Sequence, residues 1–361
     1  MASCDGGPTK RTLPQPCGTP TLSAHPEDMD LPADVVAALR RTFPPAPEDI
    51  CVPVGRCAST GKEITLCYSA FGSPDDPCIL LIMGMNTTSM MWDSRFCGYL
   101  AAAGFYVVRY DHRDTGRSVH LDGYPSPMIL RLALPAWASV GEAPLAYTLE
   151  DLAEDAAGLL RALKIRQAHL VGCSMGGMLA QLLVLRHPEM VASLSLLSTS
   201  AGVALPRPSM LLSILDQPAS LRDVHSVLDY RVRFFKAVAG DMSFHEDEFR
   251  LGMWYDVARS HHLGSGRRHL AAVARSGDRS AALRAFFSEK RGASGRLPVV
   301  VLHGAKDPLI PLSNGQHLAS CIEGSRLVVF PRMGHYFSAD MHRSIAEEII
   351  LNARAASAAS A

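Results

Sequence analysis

From residue 49 onward the chain alternates short continuous apolar runs with longer stretches whose apolar positions recur every three to four residues. Eight runs have strand length, at 50–54, 64–71, 78–83, 105–110, 169–173, 194–197, 297–302 and 327–330. The first two are separated by Gly61-Lys62 and predict an antiparallel hairpin. The later ones alternate with helical patterns at 94–103, 148–163, 175–186, 313–321 and 339–352, and Thr148-Leu149-Glu150-Asp151 supplies a capping-box start for the second of these helices. Strands alternating with helices predict an α/β fold, an eight-stranded, mostly parallel sheet with helices on both faces. Ligands of such sheets bind at the carboxyl ends of the strands.

Two intervals break the alternation. Residues 201–296 contain no strand pattern, and their periodic segments at 221–239, 244–262, 267–275 and 280–290 predict a helical cap inserted into the α/β core. Residues 119–147 form a second insertion, with an apolar centre at 128–137 that packs on the core or lines a pocket mouth. Residues 1–48 are dense in Pro, Thr, Ser and Gly, with one brief periodic piece at Val35, Val36 and Leu39, and are expected to form a flexible extension. The core is thus expected at 49–200 and 297–355, followed by a short tail at 356–361.

Composition narrows the function classes. The 361 residues carry 35 Lys plus Arg and 35 Asp plus Glu, so no charge excess invites nucleic acid or an acidic membrane surface. With 48% hydrophobic residues the chain can bury a large core. Nine cysteines, an odd set without a C-x-x-C pair, disfavour a disulfide framework and a zinc site and suggest a reducing, cytoplasmic compartment. The N-terminus has no basic stretch leading into an apolar one. The uncharged run 168–185 reaches the length of a membrane span, but its His169, paired glycines and Gln181 fit a strand, a sharp turn and a buried helix better. Nothing in the pattern specifies an oligomeric state.

The turn in that run carries chemistry. Gly172-Cys173-Ser174-Met175-Gly176 is a G-x-S-x-G motif between a strand and a helix, which is the context that exposes a serine at the top of a sheet. A serine hydroxyl needs a histidine base, itself oriented by a carboxylate. Asp307 follows the seventh strand run and His335 the eighth, so Ser174, Asp307 and His335 stand in the order nucleophile, acid, base. An alternative acid site after the sixth run holds Ser198-Thr199-Ser200 and no carboxylate. The backbone N–H groups of Met175 and of Met85, in the loop Met83-Gly84-Met85-Asn86, are candidate oxyanion donors. Asn86, Met128, Trp137, Phe234 and Trp254 are candidate pocket residues, each with ordinary packing as the alternative. His261, His262 and His269 on the cap lack a metal-ligand pattern and His303 is expected to be a buried neighbour of the site, so neither metal nor cofactor is called for.

These motifs together resemble α/β-hydrolase-fold proteins, especially the aclacinomycin methylesterase-like esterases. The resemblance rests on 80–84, on Arg109-Tyr110-Asp111-His112-Arg113-Asp114-Thr115-Gly116-Arg117-Ser118, on 172–176, on 303–307 and on Met333-Gly334-His335, and covers about residues 60–350. It implies a serine hydrolase that cleaves a carboxylic ester of a small to medium, largely apolar molecule through an acyl-enzyme. It also implies a structural role for Asp111, Arg113 and Ser118. Acyl transfer and C–C bond hydrolysis use the same triad, and a non-catalytic ligand-binding member of the fold is the alternative outside enzymes. Cys173, beside the nucleophile where an aliphatic residue is more usual, suggests sensitivity to thiol reagents.

Overall fold

A computed structural model of the chain describes residues 21–22, 32–43, 46–124, 145–210, 213, 216, 218–219, 223–259, 266–289 and 297–359. All eight expected strand runs form strands of one sheet, and a ninth, two-residue strand joins its edge. In chain order they are β1 (Thr21–Leu22), β2 (Asp49–Arg56), β3 (Glu63–Phe71), β4 (Cys78–Ile82), β5 (Tyr106–Tyr110), β6 (Ala168–Cys173), β7 (Val191–Leu197), β8 (Val299–Gly304) and β9 (Arg326–Phe330). The spatial order is β1-β2-β3-β5-β4-β6-β7-β8-β9. Pairings among β4 to β9 are parallel, while β1, β2 and β3 run antiparallel to their neighbours.

The central strands are rich in apolar residues because both faces are covered, and β4 is an unbroken apolar run. In β4, Leu80 and Ile82 enter the apolar core on one face while Ile79 and Leu81 enter the other. Helices α3 (Leu149–Ala162) and α4 (Met175–Arg186) belong to the first layer, and α2 (Ser94–Ala102) and α10 (His342–Ala359) to the second. The expected capping box at α3 forms: Thr148 Oγ1 accepts the Asp151 N–H at 3.2 Å and Asp151 Oδ2 accepts the Thr148 N–H at 3.0 Å. Helix α9 (Leu312–Cys321) connects β8 to β9. The run 168–185 is β6, a turn and α4, and no helix among the described residues is long and apolar enough to cross a membrane.

Between β7 and β8 the described residues contain α5 (Val224–Val238), α6 (Glu246–Arg259), α7 (Gly266–Ala274) and α8 (Ser280–Glu289). Val227, Leu228 and Val232 of α5 interlock with Phe249, Met253 and Val257 of α6, giving this region an apolar centre of its own. Most of the second insertion, 125–144, lies outside the described residues.

Three features add to the sequence reading. The brief periodic piece of the N-terminal segment is helical: α1 (Ala33–Thr42) buries Leu39, half-buries Val35 and Val36, and packs against α6. The periodic piece is short, so its partner helix, rather than local propensity, fixes it. The last helix continues through Ala359, past the expected end of the core at 355. Finally, Cys51 and Cys67 are joined as a disulfide. The β2–β3 register sets them directly opposite each other, a proximity that linear spacing conceals.

Candidate active site

Ser174 sits between β6 and α4 with φ 55° and ψ −120°, a backbone conformation that side chains rarely adopt. Its own N–H donates to Leu197 O on β7 at 2.9 Å, and Thr199 Oγ1 donates to Ser174 O at 2.7 Å, so the neighbouring strand holds the strained turn from outside. The motif's second glycine is a steric requirement. A Cβ at Gly176 would lie 2.0 Å from Ile82 O and 2.6 Å from Met83 O. The first turn of α4 is therefore pressed against the end of β4, and its Gly177 N–H donates to Ser174 O at 3.0 Å.

The loop after β4 approaches from the other side. A Cβ at Gly84 would be 3.3 Å from Ser174 Cβ, which places the backbone of 83–86 beside the serine. Met85 is half-buried against the core and Asn86 is exposed, with φ 57°. Met175 is buried at the start of α4. The two candidate oxyanion donors thus stand on the two segments that flank Ser174.

Asp307 and His335 follow neighbouring strands, β8 and β9. Asp307 is fully buried, and its Oδ1 accepts the N–H groups of Leu309 at 2.9 Å and Ile310 at 2.8 Å. Its Oδ2 is then turned to His335 Nδ1, 2.8 Å away. A carboxylate only accepts, so His335 carries its proton on Nδ1 and presents the Nε2 lone pair elsewhere. His335 is held from behind as well: its N–H donates to Val238 O at 2.7 Å, and the Gly334 N–H to Ala239 O at 3.0 Å, both at the end of α5. The buried His303 donates from Nε2 to Ile310 O at 2.9 Å, and burial holds it below the usual histidine range. It supports the loop that carries Asp307, as expected for a buried neighbour.

The loop 111–118 is structural, as the resemblance implied. Asp111 accepts from the N–H groups of Ser89 at 2.8 Å and Arg117 at 3.0 Å. Ser118 Oγ bridges Asp111 O and the Cys67 N–H. Arg113 forms a bidentate pair with Asp155, both bonds 2.6 Å, and stacks over Tyr147.

The other pocket candidates fare differently. Phe234 packs on Tyr230 and Phe235, and Trp254 on His225, so both are engaged inside the cap. Met128 and Trp137 lie outside the described residues. Cys173 is buried, and burial, aided by the charge of Asp307, pushes its thiol up to about 12. Burial also shields the sulfur from reagents in solution, which argues against the expected sensitivity. Among the described residues no cluster of His, Cys, Asp and Glu is arranged to hold a metal ion.

One residue that sequence reasoning set aside belongs near the site. His269, on α7, is fully buried and its Nδ1 accepts the Asn86 N–H at 3.2 Å. Its neighbour Arg268 pairs with the buried Asp114 through bonds of 2.6 and 2.7 Å. Leaving one member of such a buried pair unpartnered costs roughly 3–5 kcal/mol, so α7 is firmly docked on the loop 111–118. Linear spacing carried no signal for this contact, since His269 and Asn86 are 183 positions apart.

A sheet of this order with a serine elbow, a late acid and a later histidine defines the α/β-hydrolase fold. The family model described as "alpha/beta hydrolase fold" matches residues 77–340, and the chain belongs to that family. Among individual proteins it is similar to the rhodomycin D methylesterase DauP of Streptomyces sp. (strain C5), at 31% identity over 82% of this chain and 97% of the relative. The rhodomycin D methylesterase DnrP of Streptomyces peucetius is 30% identical over the same shares. Among solved structures, a hydrolase from Pseudomonas aeruginosa PA01 aligns with a TM-score of 0.55 and 25% identity, covering 82% of this chain and 96% of that one.

Proposed function

We propose that the protein is a serine carboxylic ester hydrolase acting on the methyl ester of a largely apolar acid. Ser174 is the nucleophile, His335 the general base and acid, and Asp307 the residue that orients His335. His335 Nε2 takes the Ser174 proton as Oγ attacks the ester carbonyl, and the N–H groups of Met85 and Met175 stabilise the oxyanion. Collapse of the tetrahedral intermediate expels the alkoxide, which leaves as the alcohol with the proton from His335. Water then attacks the acyl-enzyme by the same route in reverse and releases the acid.

The observation that carries this reading is the bond from His335 Nδ1 to Asp307 Oδ2, on an aspartate whose other oxygen is saturated by two amides. It fixes the tautomer a general base needs. The methyl preference is supported by the two relatives, each named as a methylesterase. The test is a series of methyl, propyl and benzyl esters of one aromatic acid, hydrolysed in ¹⁸O-water. The expected result is methanol release with one ¹⁸O in the acid, and kcat/KM falling by about tenfold or more from methyl to benzyl, since a pocket sized for a small group excludes a larger one. An acid free of ¹⁸O, or a preference for the benzyl ester, would overturn the proposal.

A further inference from the structure

Three successive peptide units in the loop after β4 are each held at one end by a side chain. The Met83 carbonyl accepts a proton from His112 Nε2 at 2.9 Å. The Gly84 carbonyl accepts the Thr87 hydroxyl at 3.0 Å. The Asn86 N–H donates to His269 Nδ1 at 3.2 Å. In a planar trans peptide the carbonyl and the N–H point in opposite directions. The Thr87 bond to Gly84 O therefore aims the Met85 N–H the opposite way, while the two histidines pin the peptide planes on either side of it.

The two imidazoles form a matched set. His269 Nε2 donates to Arg113 O at 2.9 Å, which leaves the lone pair on Nδ1 that the Asn86 N–H requires. The His112 and His269 rings meet edge to face, with centroids 5.9 Å apart and planes at 88°. Burial lowers His112 to about 4 and His269 to about 3, so both stay neutral and this donor and acceptor pattern persists through the neutral range. His269 comes from the cap, on a helix locked by the Arg268–Asp114 pair, and Asp114 also accepts the Tyr147 hydroxyl at 2.8 Å. The start of the same helix closes over the loop: a Cβ at Gly266 would meet Asn86 Cγ at 2.5 Å.

We propose that His269, acting with His112, is a positioning residue that sets the direction of the Met85 N–H, so that the cap helix takes part in stabilising the transition state as well as covering the site. The inference rests on the reading of Met85 N–H as an oxyanion donor. Such a donor works only when it is aimed at the position the oxyanion will occupy, and a misaligned one loses its contribution in the transition state while ground-state binding is little changed.

The test compares His269→Phe and His269→Gln with the wild type and Ser174→Ala, on the methyl ester of an aromatic acid. Phenylalanine keeps the bulk and removes the acceptor, whereas glutamine can accept from Asn86 and donate to Arg113. The expected result for His269→Phe is a kcat lower by about 100-fold, within the range for loss of one oxyanion donor, with KM within about twofold of wild type. His269→Gln recovers most of that loss. Wild-type kcat in His269→Phe, or a raised KM with unchanged kcat, overturns the proposal, provided Ser174→Ala is inactive in the same assay. Turnover surviving in Ser174→Ala overturns the underlying serine-hydrolase reading instead. If circular dichroism shows that His269→Phe does not fold, the near-isosteric Thr87→Val carries the test: a loss of about tenfold in kcat at constant KM supports the proposal, and an unchanged kcat overturns it.

Discussion

Ser174→Ala is expected to lower kcat for ester hydrolysis by about 10⁶-fold, the scale of loss seen when the nucleophile of a serine triad is removed. The size follows from the arrangement around the residue. In the proposed mechanism Ser174 forms the acyl bond, and the backbone of 83–86 lies beside it, with a Cβ at Gly84 only 3.3 Å from Ser174 Cβ. Alanine keeps the strained backbone, since the φ of 55° is imposed by the bond to Leu197 O and by the close approach of Gly176 to Ile82 O, neither of which involves the hydroxyl. The variant should therefore melt within a few degrees of wild type while losing turnover. Residual activity within tenfold of wild type, in protein free of wild-type contamination, would remove Ser174 from the mechanism.

Asp307→Asn is expected to cost about 10⁴ in kcat, and the hydrogen bonds explain why a nearly isosteric change should be so severe. Oδ1 accepts two backbone N–H groups, from Leu309 and Ile310, so in the variant that position has to be the amide oxygen. The amide NH₂ then falls where Oδ2 stood, 2.8 Å from His335 Nδ1, and donates to it. His335 is driven into the tautomer with its proton on Nε2, where it cannot accept the Ser174 proton. The loss should be in kcat, with little change in stability, and should shrink at high pH as direct attack by deprotonated serine or hydroxide contributes. A variant within tenfold of wild type at neutral pH would show that Asp307 does not set the tautomer.

How much of this was legible in the sequence depended on how local each feature is. β4, β6 and β8 are buried on both faces, so they read as apolar-rich runs whatever their neighbours. The serine elbow is equally local, because the glycines at 172 and 176 are dictated by contacts within one turn and with the adjacent strand end. Asp307 and His335 were found through chain order and strand ends, which fixed their places but not the two-amide clamp on Asp307. What was missed is non-local. Cys51 and Cys67 meet through hairpin register, and α1 takes its order from a cap helix far along the chain. His269 looks like any histidine on an amphipathic cap helix until α7 is docked on the loop 111–118. For the cap, helical periodicity tells which face is buried but not against what, so the contacts of Phe234 with Phe235 and of Trp254 with His225 come only from the structure.

The most direct test of the central claim is covalent labelling with a fluorophosphonate, followed by intact-mass measurement and peptide mapping. A phosphonate is attacked by an activated serine and leaves a stable tetrahedral adduct, so labelling reads nucleophile, base and oxyanion site in one step. The account predicts one adduct per chain, on Ser174, absent from Ser174→Ala and much slower in Asp307→Asn. An adduct on another residue, or a folded wild-type protein that takes up no label, would contradict it.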